Sequence, residues 1–122
     1  MADPVRVLVV DDQEVVRNAA RSVLEAAWDF QPVGEAASGL EALTAIEELE
    51  PDLVLLDVRM PDMDGIETAQ RIRETGRDTV VVLMSSDDSV RVQSPDTTAF
   101  VAKHRLKAAV LRDLWARLAP TR

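Results

Sequence analysis

The stretch Leu53-Val54-Leu55-Leu56-Asp57-Val58-Arg59-Met60-Pro61-Asp62-Met63-Asp64-Gly65 carries four aliphatic residues straight into a carboxylate and then into turn residues. An apolar run this short, bounded by Pro51-Asp52 and by Met60-Pro61, reads as a strand buried on both faces, the habit of parallel sheets covered by helices. Asp57 then falls at the carboxyl end of a central strand. In open parallel sheets ligands bind at that end, because the loops vary while the sheet fixes their roots. The same grammar recurs near the N-terminus, where Val5-Arg6-Val7-Leu8-Val9-Val10 ends in Asp11-Asp12. Three carboxylates at the same end of two neighbouring strands make a site for a hard cation.

Strand-like and helix-like patterns alternate along the whole chain, without a linker, repeat or low-complexity stretch. Val16, Ala20, Val23, Leu24 and Ala27 mark one helical face. Pro32 to Ala37 reads as a weaker strand. Ser38 is a helix cap with Glu41 as its capping-box partner, and Leu40, Leu43, Ile46 and Leu49 follow at helical spacing up to the break at Pro51. Gly65 opens a helix carrying Ile66, Ala69 and Ile72, which Gly76 closes. Thr79 to Met84 is the clearest strand, Asp87 to Gln93 a short helix limited by Pro95, and Thr98 to Ala102 a fifth strand. Leu106, Val110, Leu114 and Leu118 form a last helical stripe. Alternation of this kind predicts an α/β fold, a doubly wound five-stranded parallel sheet.

A length of 122 residues suits one domain, residues 1–122, and a hydrophobic content of 47% supplies its core. No cysteine is present, which removes disulfides and thiolate metal sites and makes a cytoplasmic location the expectation. No apolar run approaches a membrane span, and the N-terminus lacks a basic-then-apolar signal, so no membrane partner is expected. The formal charge of -8 argues against direct nucleic-acid binding, which needs Lys and Arg against phosphates, although acidity also serves solubility.

With strand order 2-1-3-4-5, Asp11, Asp12, Asp57, Ser85 and Lys103 come to one rim of the sheet. Two or three carboxylate oxygens plus waters meet the octahedral demand of Mg²⁺, a lysine and a hydroxyl donate to phosphoryl oxygens, and a remaining carboxylate serves as nucleophile. At Asp11-Asp12, at Asp57 with Met60 to Gly65, at Ser85, and at Lys103 three residues after Phe100, the chain resembles the receiver domain of two-component response regulators over essentially its whole length. The resemblance implies a flavodoxin-like fold in which Asp57 is the phosphoacceptor. It makes Asp12 the direct Mg²⁺ ligand, Asp11 a ligand through water, and Arg59 a ligand through its backbone carbonyl. Ser85 and Lys103 would bind the phosphoryl oxygens, and Phe100 would be the aromatic whose rotamer reports the switch. The implied partners are a sensor histidine kinase or histidine phosphotransfer protein, and a downstream protein or a C-terminal output domain outside this chain. A homodimer on phosphorylation is also implied. The only catalysis would be the chain's own phosphorylation and dephosphorylation. Gly34-Glu35-Ala36 and Glu41-Ala42-Leu43 look most like receivers that precede helix-turn-helix domains, and single-domain receivers are the other precedent.

Simpler roles exist for some of these residues. Asp11 and Asp12 would serve as helix caps, Ser85 and Ser86 as turn formers, Phe100 as core, and His104 as a solvated loop residue. Asp57 in an apolar strand, and Lys103 after Phe-Val-Ala, are costly to bury without a partner. Only fourteen residues separate Ser85 from Phe100, and Pro95 is among them, so the helix there is expected to be shortened or irregular. That puts the usual dimerisation surface in question. His104 stands where many receivers have proline, so a trans bond is expected after Lys103. Arg59 and Asp87, each two residues beyond an active-site side chain, are expected to pair across the mouth of the site and tune the lifetime of the acyl phosphate. Two other classes share features. A haloacid-dehalogenase-like phosphatase also uses a strand-end Asp, but needs a second Asp where Arg59 stands. A pseudo-receiver acting without phosphorylation would not need the complete set of Asp11, Asp12, Asp57, Ser85 and Lys103.

Overall fold

A computed structural model describes residues 3–86 and 99–120. The elements are β1 (Val5–Val10), α1 (Glu14–Glu25), β2 (Phe30–Ala36), α2 (Gly39–Leu49), β3 (Leu53–Asp57), α3 (Gly65–Glu74), β4 (Val80–Ser85), β5 (Ala99–Ala102), a 3-10 turn (Lys103–Arg105) and α4 (Ala108–Leu118). The five strands form one sheet in the order β2-β1-β3-β4-β5, and every neighbouring pair is parallel. This is the expected order. The short helix expected over 87–93, together with Pro95, Thr98 and Asp87, lies outside the described residues.

Strand alternation divides the core into two layers. Val7, Val9, Leu53 and Leu55 pack with Ala20 and Leu24 of α1 and with Leu111 and Leu114 of α4. Leu8, Val10, Val54 and Leu56 turn to the other face, against Ala42 and Ile46 of α2 and Ala69 and Ile72 of α3. Every residue of β3 is buried, as its unbroken apolar run requires. Each such Leu or Val contributes roughly 1.5–3 kcal/mol by leaving water. That burial is what holds the helices: α1, with 12 residues, is at the margin of persistence for an isolated helix in water.

β2 begins at Phe30, two residues before the expected start at Pro32, and the reason lies in packing. Phe30 is buried against the α1 and α4 layer. Pro32 pairs opposite Val7 and the register slips at the next step, with Gly34 opposite Leu8, so Val33 is the extra residue of a bulge. An edge strand tolerates both, because the missing proline N–H costs no central ladder bond. β4 starts at Val80 rather than Thr79, whose hydroxyl donates to the Pro51 carbonyl at 3.3 Å.

The helix ends follow local chemistry. Ser38 Oγ accepts from the Glu41 N–H at 3.1 Å, while its hydroxyl faces the Glu41 carboxylate at 3.3 Å, so the side-chain leg of the capping box closes on the hydroxyl. Gly76 takes φ +74°, and its N–H bonds the Arg73 carbonyl at 3.0 Å, ending α3. Among the described residues there is no cis peptide bond, so Lys103 and His104 are joined in trans.

Candidate functional site

β1 and β3 lie side by side; Asp11 directly follows β1 and Asp57 ends β3, so both reach the same edge. Asp11 is wholly buried and Asp57 nearly so, whereas Asp12, one residue on, is exposed. Carboxylate oxygens of Asp11, Asp12 and Asp57 lie within 4.8 Å of one another. Lys103, just past β5, sets its ammonium 2.6 Å from Asp11 Oδ2 and 3.3 Å from Asp57 Oδ1. One ammonium against three carboxylates leaves two negative charges, the deficit a divalent cation would fill. Asp11 Oδ2 is buried and meets the ammonium as an ion pair. An all-oxygen donor set with such an oxygen fits a hard cation such as Mg²⁺.

The charge states follow from these contacts. Burial first, and then the negative charge of Asp11, push the Asp57 carboxyl above the ordinary carboxylate range against the opposing pull of Lys103. Burial works against the charged form of Lys103, but its bonds to Asp11 and Asp57 outweigh this and hold its pKa above the ordinary lysine value.

Ser85 ends β4 and is buried, and Phe100 on β5 is half-buried, packing with the α2 and α3 layer. Arg59 is exposed, and its N–H points at Asp57 Oδ1 from 3.4 Å. The expected partner of Arg59, Asp87, lies outside the described residues. Neither aspartate of the acidic pair caps α1, whose N-cap is Gln13 without a side-chain bond. Asp11 Oδ1 instead accepts from the Gln13 N–H at 2.9 Å, tightening the turn between β1 and α1.

Three supports have no counterpart in the sequence reading. Arg17 donates to the Asp11 carbonyl at 2.7 Å and is itself paired with Glu35 of β2. Asp62 accepts from the N–H groups of Gly39 and Leu40, both at 3.1 Å, which ties the loop after β3 to the start of α2. Those backbone bonds, led by Leu40, hold the Asp62 carboxyl below the ordinary value. Gly65 donates to the Val58 carbonyl at 2.7 Å, and a Cβ there would come within 2.9 Å of Val58 Cα and closer still to the Asp57 carbonyl oxygen. A glycine followed by helical periodicity signals a helix start. Its backbone approach to the acceptor is a tertiary fact with no local signature.

Among the described residues no helix is long and apolar enough to cross a membrane. The comparisons agree with the geometry. Residues 7–113 match the family model described as response regulator receiver domain. The response regulator MprA of Mycobacterium sp. (strain KMS) is 37% identical over 115 residues, which are 94% of this chain and 49% of that protein. The signal receiver domain of the putative response regulator NarL from Mycobacterium tuberculosis superposes with a TM-score of 0.79 at 32% identity, covering 93% of this chain and 98% of that one. The CheX-CheY-BeF3-Mg²⁺ complex from Borrelia burgdorferi gives 0.81 at 26% identity, over 97% and 92% of the two chains. The chain spans about half or less of the length of the curated relatives it matches. Mg²⁺ at an acidic pocket is typical of this family. With the family model covering residues 7–113 and the fold matching, the chain belongs to the response regulator receiver domain family.

Proposed function

We propose that the chain is a phosphorylation-dependent signalling switch in which Asp57 accepts a phosphoryl group from a sensor histidine kinase or a histidine phosphotransfer protein. What supports this most is the gathering of the Asp11, Asp12 and Asp57 oxygens within 4.8 Å while Lys103 touches two of the three carboxylates. An Asp57 oxygen forms a bond to phosphorus as the phosphorus–nitrogen bond of the donor histidine breaks, leaving imidazole and an acyl phosphate. The attack is opposed by the phosphoryl oxygens' own negative charge. Lys103, 3.3 Å from Asp57 Oδ1, offsets that repulsion and donates to a phosphoryl oxygen, with Ser85 supplying a second donor. Asp12 directly, Asp11 through water, Asp57 and the Arg59 carbonyl would hold Mg²⁺, which when bound neutralises charge on the transferring group.

The acyl phosphate adds about two negative charges and three acceptor oxygens. Ser85 is drawn toward them, and Phe100 fills the space it leaves, changing the surface formed by β5 and α4. That surface acts on a downstream protein or an output domain. The chain is otherwise not a catalyst, acts in the cytoplasm, and dimerises, if it does, as a consequence of phosphorylation. Its charge of -8 makes a protein rather than nucleic acid its direct partner. Incubation with acetyl phosphate and Mg²⁺, read by intact mass, tests the reading. The chain gains one phosphoryl group, Asp57→Asn does not, and Asp62→Asn and Asp64→Asn retain the gain. Equal labelling of Asp57→Asn refutes the acceptor, and an unlabelled wild-type chain refutes the switch.

A further inference from the structure

We propose that Arg17 is a positioning residue for divalent-cation binding: braced on Glu35, its guanidinium holds the Asp11 peptide so that Asp11 and Asp12 are aimed at Asp57. This rests on the reading of the acidic cluster as a Mg²⁺ site. Arg17 Nη1 donates to the Asp11 carbonyl at 2.7 Å, and Nε lies 3.2 Å from Glu35 Oε1. The Arg17 side chain is only 18% exposed, unlike a solvated charge on an outer helix face. Glu35 is fixed in turn, since Arg21 Nη1 reaches its other oxygen at 2.7 Å. Two arginines of α1 thus grip one carboxylate of the edge strand β2, and one of them also grips the end of β1.

The place gripped is where β1 leaves the sheet. The ladder between β1 and β2 ends at Val10 opposite Ala36, and the Asp11 N–H makes one last bond to the Ala36 carbonyl at 3.0 Å. Beyond it, the Asp11 carbonyl belongs to the planar peptide that leads into Asp12, so its direction sets where Asp12 departs. Asp11 has further ties, its side chain to Lys103 and the Gln13 N–H, but Asp12 is exposed and inherits its placement from that peptide. Arg17 is the side chain that fixes the plane. An ion pair with Glu35 alone would stabilise the surface without aiming anything, whereas the bond to the Asp11 carbonyl couples the pair to the metal ligands.

Calorimetric titration of Mg²⁺ into the wild-type chain, Arg17→Ala, Arg17→Lys and Glu35→Gln tests this, with urea unfolding and the Mg²⁺ dependence of acetyl phosphate labelling measured alongside. Arg17→Ala raises the Mg²⁺ Kd about 10-fold, in the range for outer supports of metal ligands. The Mg²⁺ concentration for half-maximal labelling moves by the same factor while the rate at saturating Mg²⁺ holds. Arg17→Lys restores part of the affinity, since one ammonium cannot serve both the carbonyl and Glu35. Glu35→Gln, which leaves the metal ligands and Arg17 in place, raises the Kd by less than Arg17→Ala does. It carries the test if Arg17→Ala does not fold. An unchanged Kd in a folded Arg17→Ala chain, or in Glu35→Gln should Arg17→Ala not fold, overturns the proposal. So does a lower labelling plateau with unchanged half-saturation. A wild-type chain that does not bind Mg²⁺ overturns instead the reading of the acidic cluster.

Discussion

Replacing Gly65 by alanine adds one methyl group where the chain has no room for it. The new Cβ would lie 2.9 Å from Val58 Cα and 3.1 Å from the Asp57 carbonyl carbon, with the Asp57 oxygen closer still. Carbon atoms rest at about 3.5 Å, so Val58 must retreat by about 0.6 Å (3.5 less 2.9). Every atom met is backbone, and no side-chain rotation relieves the clash. Overpacking of this kind costs about 1–3 kcal/mol, and a rigid backbone neighbour puts this case near the upper end. With a urea slope of about 1.5–2 kcal/mol/M, the unfolding midpoint falls by about 1–2 M. The same retreat shifts the Asp57 carboxylate relative to Lys103 and Asp12. Misplacement by about 1 Å costs about 100-fold, so acetyl phosphate labelling slows by about 10-fold or more. Gly76→Ala is the control. It is disfavoured by φ +74° but meets nothing within 4 Å, so it lowers stability by about 1 kcal/mol and leaves labelling at the wild-type rate. Wild-type stability and labelling in Gly65→Ala, or an equal loss of labelling in Gly76→Ala, would refute the argument from close approach.

Asp12→Ala weakens Mg²⁺ binding more than Asp11→Ala, because the exposed Asp12 is free to ligate directly while Asp11 is already engaged by Lys103; equal calorimetric affinities count against that order. Asp57 has a raised pKa in the fold, so without metal the folded state binds its proton more tightly, and its ionisation lowers stability as pH rises from 3.8 through the folded value. Asp57→Asn is therefore more resistant to urea than wild type at neutral pH, and the gap closes as pH falls toward 3.8; a pH-independent difference would point to packing instead. Arg59→Ala shortens the lifetime of phosphorylated Asp57 several-fold by opening the mouth of the site to water, and unchanged decay of the phosphorylated mass leaves Arg59 without that role.

What was readable from the chain alone, and what was not, divides along physical lines. β3, most of β4 and the buried half of β1 announce themselves because a strand covered on both faces must be apolar where it is buried, and a carboxylate at the end of the β1 and β3 runs is too expensive to be incidental. The start of β2 is obscured in the sequence because edge strands admit a proline and a bulge, which blur the alternation. Arg17 and Asp62 carry no local signal as site supports, because charged residues in a helix or loop look solvated until distant backbone is brought to them. Asp62 bonds residues more than twenty positions away. Local pattern records burial well. It records long-range hydrogen bonding poorly.

Among the described residues, the lysine of the site hangs from the shortest strand of the sheet. β5 has four residues, two of them only partly buried, and Lys103 begins where it ends. A slip of one residue between β4 and β5 would carry the ammonium about 3.3 Å along the strand, as far as its present separation from Asp57. Fraying at this edge and the charge of the acceptor are therefore linked quantities, and the linkage runs both ways. A partner that pins β5 keeps the countercharge in place. Conversely, whatever changes the charge at Asp57 alters the hold on β5, so amide exchange at Val101 and Ala102 would register events at the acceptor from two strands away.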